Sequence, residues 1–283
     1  MNGFRGYVRL MRPVNCLMMG FAVIVGAALA GSINFAGSWL NLVYGFVTGF
    51  MLTAASMVIN DYYDREIDAV NEPTRPIPSG SVKPREALFF ASVLTGIGFA
   101  SAYLTSLLCF LTALIAWVIF VIYTTVGKRS GLPGNFLVSM CVVIPFIYGS
   151  IAVASTVKLN VLLFISMVFL SNTGREVTKG IVDVEGDKAQ GVKTLAVRYG
   201  ERNAAVAAAL FYVSAVLLSL LPWFLNKVSV WFLPFVAMTD IGLVASSFML
   251  LKDYSRENAR KIKKIVLVWF LFGLVAFVMG VVS

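Results

Sequence analysis

The sequence predicts an all-α integral membrane protein, a bundle of nine transmembrane helices. Hydrophobic residues make up 59% of the 283-residue chain, charged residues make up only 13%, and the mean hydropathy is +0.86. This composition is too apolar for a soluble domain of such length. In lipid the backbone must be hydrogen-bonded internally, and the long continuous apolar runs favour helices over the short alternating strands of a barrel.

Nine apolar runs are long enough for a bilayer crossing, which takes roughly 20 residues per helix. Their centres lie near Phe21, Phe50, Thr95, Ala116, Val143, Phe164, Leu210, Asp240 and Leu271. No soluble segment interrupts these runs. We therefore expect one transmembrane domain over residues 1–283.

The basic residues predict the orientation in the membrane. If nine helices alternate in direction, all of the 23 Lys and Arg residues except Lys158 and Lys227 fall on the side of the N-terminus. The positive-inside rule then places the N-terminus in the cytoplasm and the C-terminus outside the cell membrane. This bias and attraction to anionic membrane lipids account for the net charge of +9, so we expect no nucleic-acid partner.

The first acidic cluster lies at the predicted cytoplasmic end of the second helix. At about 100° per residue, Asp64, Asp68 and Asp61 lie at about 40°, 80° and 100° from Asn60, so the four side chains share one face. Crowded carboxylates repel one another unless a cation neutralises them, and oxygen ligands suit Mg²⁺ or Ca²⁺. The alternative is a solvated helix end with ordinary surface charges.

A second cluster repeats this geometry at the end of the sixth predicted helix. Glu176, Asp183 and Asp187 are spaced seven and four residues apart, with Lys179 alongside, although nearby glycines weaken the helix there. Mg²⁺ ions keep water ligands and bridge to substrate phosphates, so two such clusters predict a phosphate-bearing substrate. The chain contains no histidine, which excludes histidine bases and ligands, and its three cysteines have no paired spacing.

Several cations fall on the same predicted side and are candidate ligands of a diphosphate: Arg65, Arg75, Lys128 and Lys179. The alternative is that they only set the topology or contact lipid. A diphosphate beside an apolar bundle implies an amphiphilic substrate whose tail lies in the hydrocarbon. The candidate active site is therefore expected on the cytoplasmic side.

The pattern Asn60-Asp61-x-x-Asp64-x-x-x-Asp68, with Asp183-x-x-x-Asp187, resembles the two aspartate motifs of the UbiA superfamily of intramembrane prenyltransferases. Arg12-Pro13-x-Asn15 is also similar to a family position. The resemblance implies Mg²⁺-dependent transfer from a prenyl diphosphate to a lipid-like acceptor. It implies candidate metal ligands Asn60, Asp61, Asp64, Asp68, Asp183 and Asp187, of which Asp64, Asp68, Asp183 and Asp187 are the candidate catalytic residues. It implies candidate substrate-binding residues Asn15, Arg65, Arg75, Tyr123, Lys128, Lys179 and Glu176.

Within the superfamily, the first motif together with Arg175-Glu176 and the segment 183–195 is most similar to the archaeal digeranylgeranylglyceryl phosphate synthases. This implies transfer of a geranylgeranyl group to the hydroxyl of geranylgeranylglyceryl phosphate, an ether-lipid precursor. The alternatives are an aromatic quinone precursor or a chlorophyllide-type acceptor. A secondary transporter is the alternative of another class, but such sites lie near the bilayer midplane, where the only acidic residue is Asp240. The oligomeric state stays open.

Overall fold

The computed structural model describes residues 3–31, 35–189 and 191–282, and these ranges form helices and turns without any strand. The helices are α1 Gly3–Met11, α2 Pro13–Leu29, α3 Phe35–Tyr63, α4 Arg65–Asn71, α5 Pro84–Thr105, α6 Leu107–Thr125, α7 Leu132–Ala154, α8 Leu159–Val182, α9 Val184–Ala189, α10 Leu195–Tyr199, α11 Glu201–Ser219, α12 Leu221–Phe224, α13 Phe232–Lys252 and α14 Arg256–Val282. Each predicted span centre falls within a long helix. The all-helical, multi-pass membrane fold is confirmed.

Within the described ranges, seven helices are long and apolar enough to cross a membrane: α3, α5, α6, α7, α11, α13 and α14, with α12 extending α11. Helices α1 and α2 form one further candidate span, bent by 46°. Helix α8 is 24 residues long but less apolar, because its last third carries Arg175, Glu176 and Lys179. The count of nine transmembrane helices therefore stays a prediction.

The chain divides into two compact units, each assembled from separate stretches of sequence. The first unit comprises Met1–Ala27, Ser32–Phe120 and Pro145–Thr156. The second comprises Ala28–Gly31, Val121–Ile144 and Val157–Ser283. The first aspartate motif belongs to the first unit, and the second motif belongs to the second unit.

In the first unit, glycines allow helix backbones to approach closely. A Cβ atom on Gly149 of α7 would lie 2.0 Å from the carbonyl oxygen of Val23 in α2, and one on Gly26 would lie 2.2 Å from that of Phe146. Small residues at helix crossings are typical of membrane bundles, because dispersion contacts replace the hydrophobic effect there. These contacts fix α2, which begins beside the first aspartate motif.

In the second unit, α8 packs against an alanine-rich face of α11. Ala204, Ala205 and Ala208 are buried, and the fully buried Tyr212 shares a hydrogen bond of 3.0 Å with the hydroxyl of Thr178 on α8. A buried polar pair of this kind specifies one register between two helices, because a shifted register would leave both hydroxyls unpaired. The pairing therefore fixes the end of α8 that carries the second motif.

We expect Gly149→Ala to lower the free energy of unfolding by about 2 kcal/mol, because the new methyl group overlaps the backbone of α2. Gly96→Ala is the matched control: it lies inside α5, and a Cβ there meets no atom within 4 Å. Thermal unfolding in detergent compares the two variants. An equal midpoint for both variants would contradict the close crossing of α2 and α7.

Candidate functional site

The first aspartate motif lies where one helix passes into another. Helix α3 ends at Tyr63 and the short α4 begins at Arg65. The amide of Asp64 donates to the carbonyl of Asn60 at 3.0 Å, and the amide of Asp68 donates to that of Asp64 at 2.8 Å. The predicted i, i+4 spacing of Asn60, Asp64 and Asp68 therefore holds across the junction.

The second motif has the same local architecture. Helix α8 ends at Val182, α9 begins at Val184, and the amide of Asp187 donates to the carbonyl of Asp183 at 2.9 Å. Gly180 and Gly186 themselves lie inside helices, but the helix is interrupted between them, at Asp183, as the expected weakening implies. Both motifs thus lie at helix ends, and the two have the same local structure.

Arginines neutralise two buried carboxylates of the first motif. Asp61 and Asp68 are only 4% and 6% exposed. Arg12 donates to Oδ1 of Asp61 at 2.6 Å, and Arg75 donates to Oδ2 of Asp68 at 2.5 Å and lies 3.7 Å from Asp61. A carboxylate buried this deeply requires such a partner. Asp61 and Asp68 both lie near Arg75, and the guanidinium groups offset the repulsion between the two carboxylates. The metal site stays a prediction.

Arg12 occupies a strained backbone position at the bend between α1 and α2. Its φ is 52°, in the left-handed region that costs a non-glycine residue of order 1 kcal/mol. The following Pro13 disfavours a helical conformation at Arg12 and begins α2. The bend places the guanidinium of Arg12 beside Asp61. The ion pair with the buried Asp61 therefore helps to hold the strained backbone of Arg12.

A cavity of about 240 Å³ opens beside this ion pair. Its lining consists of Arg9, Arg12, Asp61, Glu72, Arg75 and Pro76. Burial alone would lower the pKa of Arg75, but the hydrogen bond and charge of Asp68, with the charges of Asp61 and Glu72, raise its pKa overall. The guanidinium is therefore charged at every physiological pH, and Arg75 contributes a fixed positive charge to the cavity lining.

In the second unit, the predicted residues Glu176, Tyr123 and Asp183 lie within electrostatic range of Lys179. Glu176 is only 11% exposed in its side chain and pairs with Arg175 at 3.0 Å and Lys179 at 3.6 Å. Burial raises the pKa of Asp187, and the Asp183 carboxylate raises it further, whereas Lys179 and a hydrogen bond from Thr194 lower it. The structure thus gathers these residues at one end of α8.

Sequence reasoning missed a contribution from α14. Lys263 interacts through its charge with Asp183 and Glu176, and Arg256 donates from Nε to the carbonyl of Val182 at 3.0 Å. Both residues belong to a basic stretch, residues 252–264, whose charge by itself favours contact with anionic lipid. The seven-residue spacing of Arg256 and Lys263, which places them on one face of a helix, is the signal that identifies them.

Three predicted substrate-binding residues, Arg65, Asn15 and Lys128, lie outside the lining of this cavity. Arg65 donates to the carbonyl of Tyr62 at 2.9 Å, and its guanidinium lies 4.6 Å from the centre of the Tyr62 ring. It also pairs with Glu66, so its contacts are with residues at the junction of α3 and α4. Asn15 is exposed in the first turn of α2, and Lys128 lies half-buried in the turn Gly127–Arg129. Asp240 accepts a hydrogen bond from Ser219 at 2.7 Å, which gives it a packing partner.

The acidic residues fit a magnesium ion that shares its ligands with a substrate. Within the part of the chain that the structure describes, no three acidic or cysteine side chains are grouped closely enough to hold a metal by themselves. Carboxylates at i, i+4 spacing offer the hard oxygen ligands that Mg²⁺ takes, and this ion completes its coordination with water and phosphate oxygens. Asp64 with Asp68, and Asp183 with Asp187, are such pairs.

Residues 19–272 match the UbiA prenyltransferase family. The chain belongs to this family. It is therefore a membrane-embedded prenyltransferase, and the transporter alternative is wrong. The family assignment covers both aspartate motifs and most of the helices described above.

Two relatives are similar to this protein along nearly its whole length. The digeranylgeranylglyceryl phosphate synthase of Archaeoglobus fulgidus is 38% identical over 275 residues, which are 96% of this chain and 93% of that protein. The synthase of Methanosarcina mazei is 34% identical over 290 residues, with 99% of each chain covered.

Solved structures agree with this fold. A structure described as that of digeranylgeranylglyceryl phosphate synthase in membranes is 31% identical, with a TM-score of 0.86 and 100% and 99% of the two chains covered. A UbiA homologue from Archaeoglobus fulgidus, bound to GPP and Mg²⁺, is 20% identical with a TM-score of 0.70, over 96% of this chain and 99% of that chain. The second likeness concerns the fold alone.

We expect Glu176→Gln to destabilise the protein by about 2 kcal/mol, because it leaves the largely buried Arg175 without its paired carboxylate. Glu185→Gln is the matched control. Its side chain is 82% exposed and its pair with Arg256 spans 3.4 Å, so its loss changes stability by under about 1 kcal/mol. Thermal unfolding measures both, and a control as destabilised as Glu176→Gln would contradict the assignment.

Proposed function

We propose that this protein transfers a geranylgeranyl group from geranylgeranyl diphosphate to the hydroxyl of geranylgeranylglyceryl phosphate and releases diphosphate. The repeated pairs of carboxylates at two helix ends carry this proposal, because they suit a magnesium-bound diphosphate. The named relatives, similar over nearly the whole chain, support the choice of acceptor. An aromatic or chlorophyllide-type acceptor stays an outcome of the test below.

The metal ligands in this proposal are Asn60, Asp64, Asp68, Asp183 and Asp187, with Asp61 close by. When bound, Mg²⁺ neutralises the charge that develops on the departing diphosphate. Lys179 stabilises the same charge as a cation of the protein itself, and Glu176 holds Lys179 in place. Arg75 is proposed to bind a substrate phosphate. Asn15, Arg65, Tyr123 and Lys128 are proposed to contact the substrates. We propose that both units, residues 1–283, act as one catalytic domain.

The reaction breaks the bond between carbon 1 of the prenyl chain and the diphosphate oxygen. The electron pair leaves with the diphosphate, and the acceptor hydroxyl attacks the allylic cation to form an ether bond. The hydroxyl proton then passes to the released diphosphate or to a carboxylate of the first motif, Asp64 or Asp68. Diphosphate is the better acceptor, since a carboxylate occupied by a metal is a weak base.

We propose an orientation with the N-terminus and the active site in the cytoplasm and the C-terminus outside, over nine transmembrane helices. The distribution of basic residues supports it, since only Lys158 and Lys227 fall on the outer side. The ninth crossing is α8. Its apolar first half suits the hydrocarbon, and its polar end suits the membrane surface where the substrate's diphosphate lies.

A transfer assay with purified protein in detergent tests the proposed function. It offers labelled geranylgeranyl diphosphate and Mg²⁺ with geranylgeranylglyceryl phosphate, chlorophyllide and an aromatic acceptor in parallel. We expect an ether product with the glyceryl phosphate alone, and none after chelation of Mg²⁺. Product with a different acceptor alone would retain the family chemistry and overturn the proposed acceptor.

We expect Asp64→Asn and Asp183→Asn each to lower the turnover rate at least a hundredfold, because each removes the charge of one proposed metal ligand. Asp253→Asn is the matched control, since Asp253 is exposed in the turn before α14. Initial rates at saturating substrate and an unchanged unfolding midpoint complete the measurement. Near wild-type turnover in either motif variant would contradict the metal assignment.

A further inference from the structure

We propose that the cavity lined by Arg9, Arg12 and Arg75 binds the phosphate group of the acceptor, with Asp61 as the residue that positions two of these arginines. This inference rests on the proposed function and adds a recognition site for one of its substrates. The ligand class is a phosphomonoester attached to a lipid chain. Below, we call this cavity the arginine cavity.

The lining of the arginine cavity is built for an anion. Three guanidinium groups and two carboxylates surround a volume of about 240 Å³. Water takes up about 30 Å³ per molecule in the liquid, so the cavity has room for a phosphate and the glycerol carbons next to it. Guanidinium groups bind phosphate oxygens through two parallel N–H bonds, and this recognition needs no metal.

Two of the arginines are held in place before any ligand binds. Asp61, 4% exposed, accepts from Arg12 at 2.6 Å and lies 3.7 Å from Arg75, which is itself fixed by Asp68. Each guanidinium has five N–H donors, so these contacts leave donors for a ligand. The left-handed backbone of Arg12 is a strained feature at the same point, as is common at ligand-binding positions.

Arg9 completes the cavity from the last turn of α1, and its side chain is exposed there. A bound phosphate dianion attracts this third charge. Arg12 and Arg75 are already paired with Asp61 and Asp68, so Arg9 is the lining arginine that such a pair does not hold, while Glu72 offsets part of the positive charge of the lining. Recognition of the phosphate is therefore expected to depend on Arg9 without any change to the ion pairs beneath it.

Helix α2, which follows the cavity-lining Arg12, has an exposed apolar side that suits the lipid chain of such a ligand. Helix α2 begins directly after Arg12, and Val14, Met18 and Phe21 are 69%, 63% and 58% exposed. Their spacing places them along one side of α2. We assign the isoprenoid chain of the ligand to this side of α2, since its phosphate would lie beside Arg12 at the start of the helix. The donor diphosphate, by contrast, is assigned to the metal-binding carboxylates.

The test compares Arg9→Gln with Arg5→Gln, an equal loss of charge one turn earlier on α1 at a residue outside the cavity lining. We expect Arg9→Gln to raise KM for geranylgeranylglyceryl phosphate about tenfold, which equals about 1.4 kcal/mol. KM for the donor and for the phosphate-free acceptor geranylgeranylglycerol should change less than twofold. Arg9→Lys should recover part of the affinity, and Arg5→Gln should resemble the wild type.

A rise in the donor KM instead of the acceptor KM would overturn the proposal and assign the arginine cavity to the diphosphate. An unchanged KM for all substrates would overturn it as well. A binding measurement separates this proposal from the proposed function: glycerol 1-phosphate should raise the unfolding midpoint of the wild type and of Arg5→Gln but not of Arg9→Gln. Equal stabilisation of Arg9→Gln would contradict the site even where no acceptor gives product.

Anionic lipid is the other source of the same headgroup chemistry. Phosphatidylglycerol, added to the transfer assay in mixed micelles with the detergent, shows whether the cavity binds the acceptor or bulk anionic lipid. We expect weak competition with the acceptor that is equal in wild type and Arg9→Gln, because a phosphodiester carries one negative charge where the acceptor's phosphate carries up to two. Strong competition that Arg9→Gln abolishes would assign the cavity to bulk lipid and overturn the proposal.

Discussion

The architecture depends on one constraint: a backbone in hydrocarbon must hydrogen-bond within its own helix. Polar chemistry is therefore concentrated where helices end. Both aspartate motifs follow this rule, since Asp64 and Asp183 each lie between a long helix and a short one while the i, i+4 hydrogen bonds continue across the junction. The carboxylates of each motif are held on a rigid helical frame and not on a flexible loop.

Burial of acidic groups in an apolar protein requires compensating cations, and the two units meet this need differently. In the first unit, Arg12 pairs with Asp61 and Arg75 pairs with Asp68. In the second, Arg175 and Lys179 cover Glu176, while Lys179 also interacts with Asp183. Losing one partner of such a pair is costly, because the other charge stays buried. The cations therefore stabilise the fold and supply the positive surface that a phosphate substrate needs.

Much of this was predictable from the sequence. Apolar runs identified the long helices, and helical periodicity placed Asn60, Asp64 and Asp68 on one side of a helix end. The partners of the buried carboxylates were not predictable: Arg12 lies 49 residues before Asp61, and no local pattern links them. The exact point of the break at Asp183 was not predictable either, since α8 continues through Gly180, where packing against α11 offsets the weak helix propensity of glycine. Likewise, Lys263 belongs to a basic stretch whose charge alone favours lipid contact.

The proposed function requires that each aspartate motif contributes to binding of the donor diphosphate with Mg²⁺. Equilibrium binding of a non-reactive geranylgeranyl diphosphate analogue, without acceptor, tests this requirement most directly. We expect binding to require Mg²⁺ and to be weakened at least tenfold by Asp64→Asn and by Asp183→Asn alike. Binding that is independent of Mg²⁺, or that is unaffected by either substitution, would contradict it.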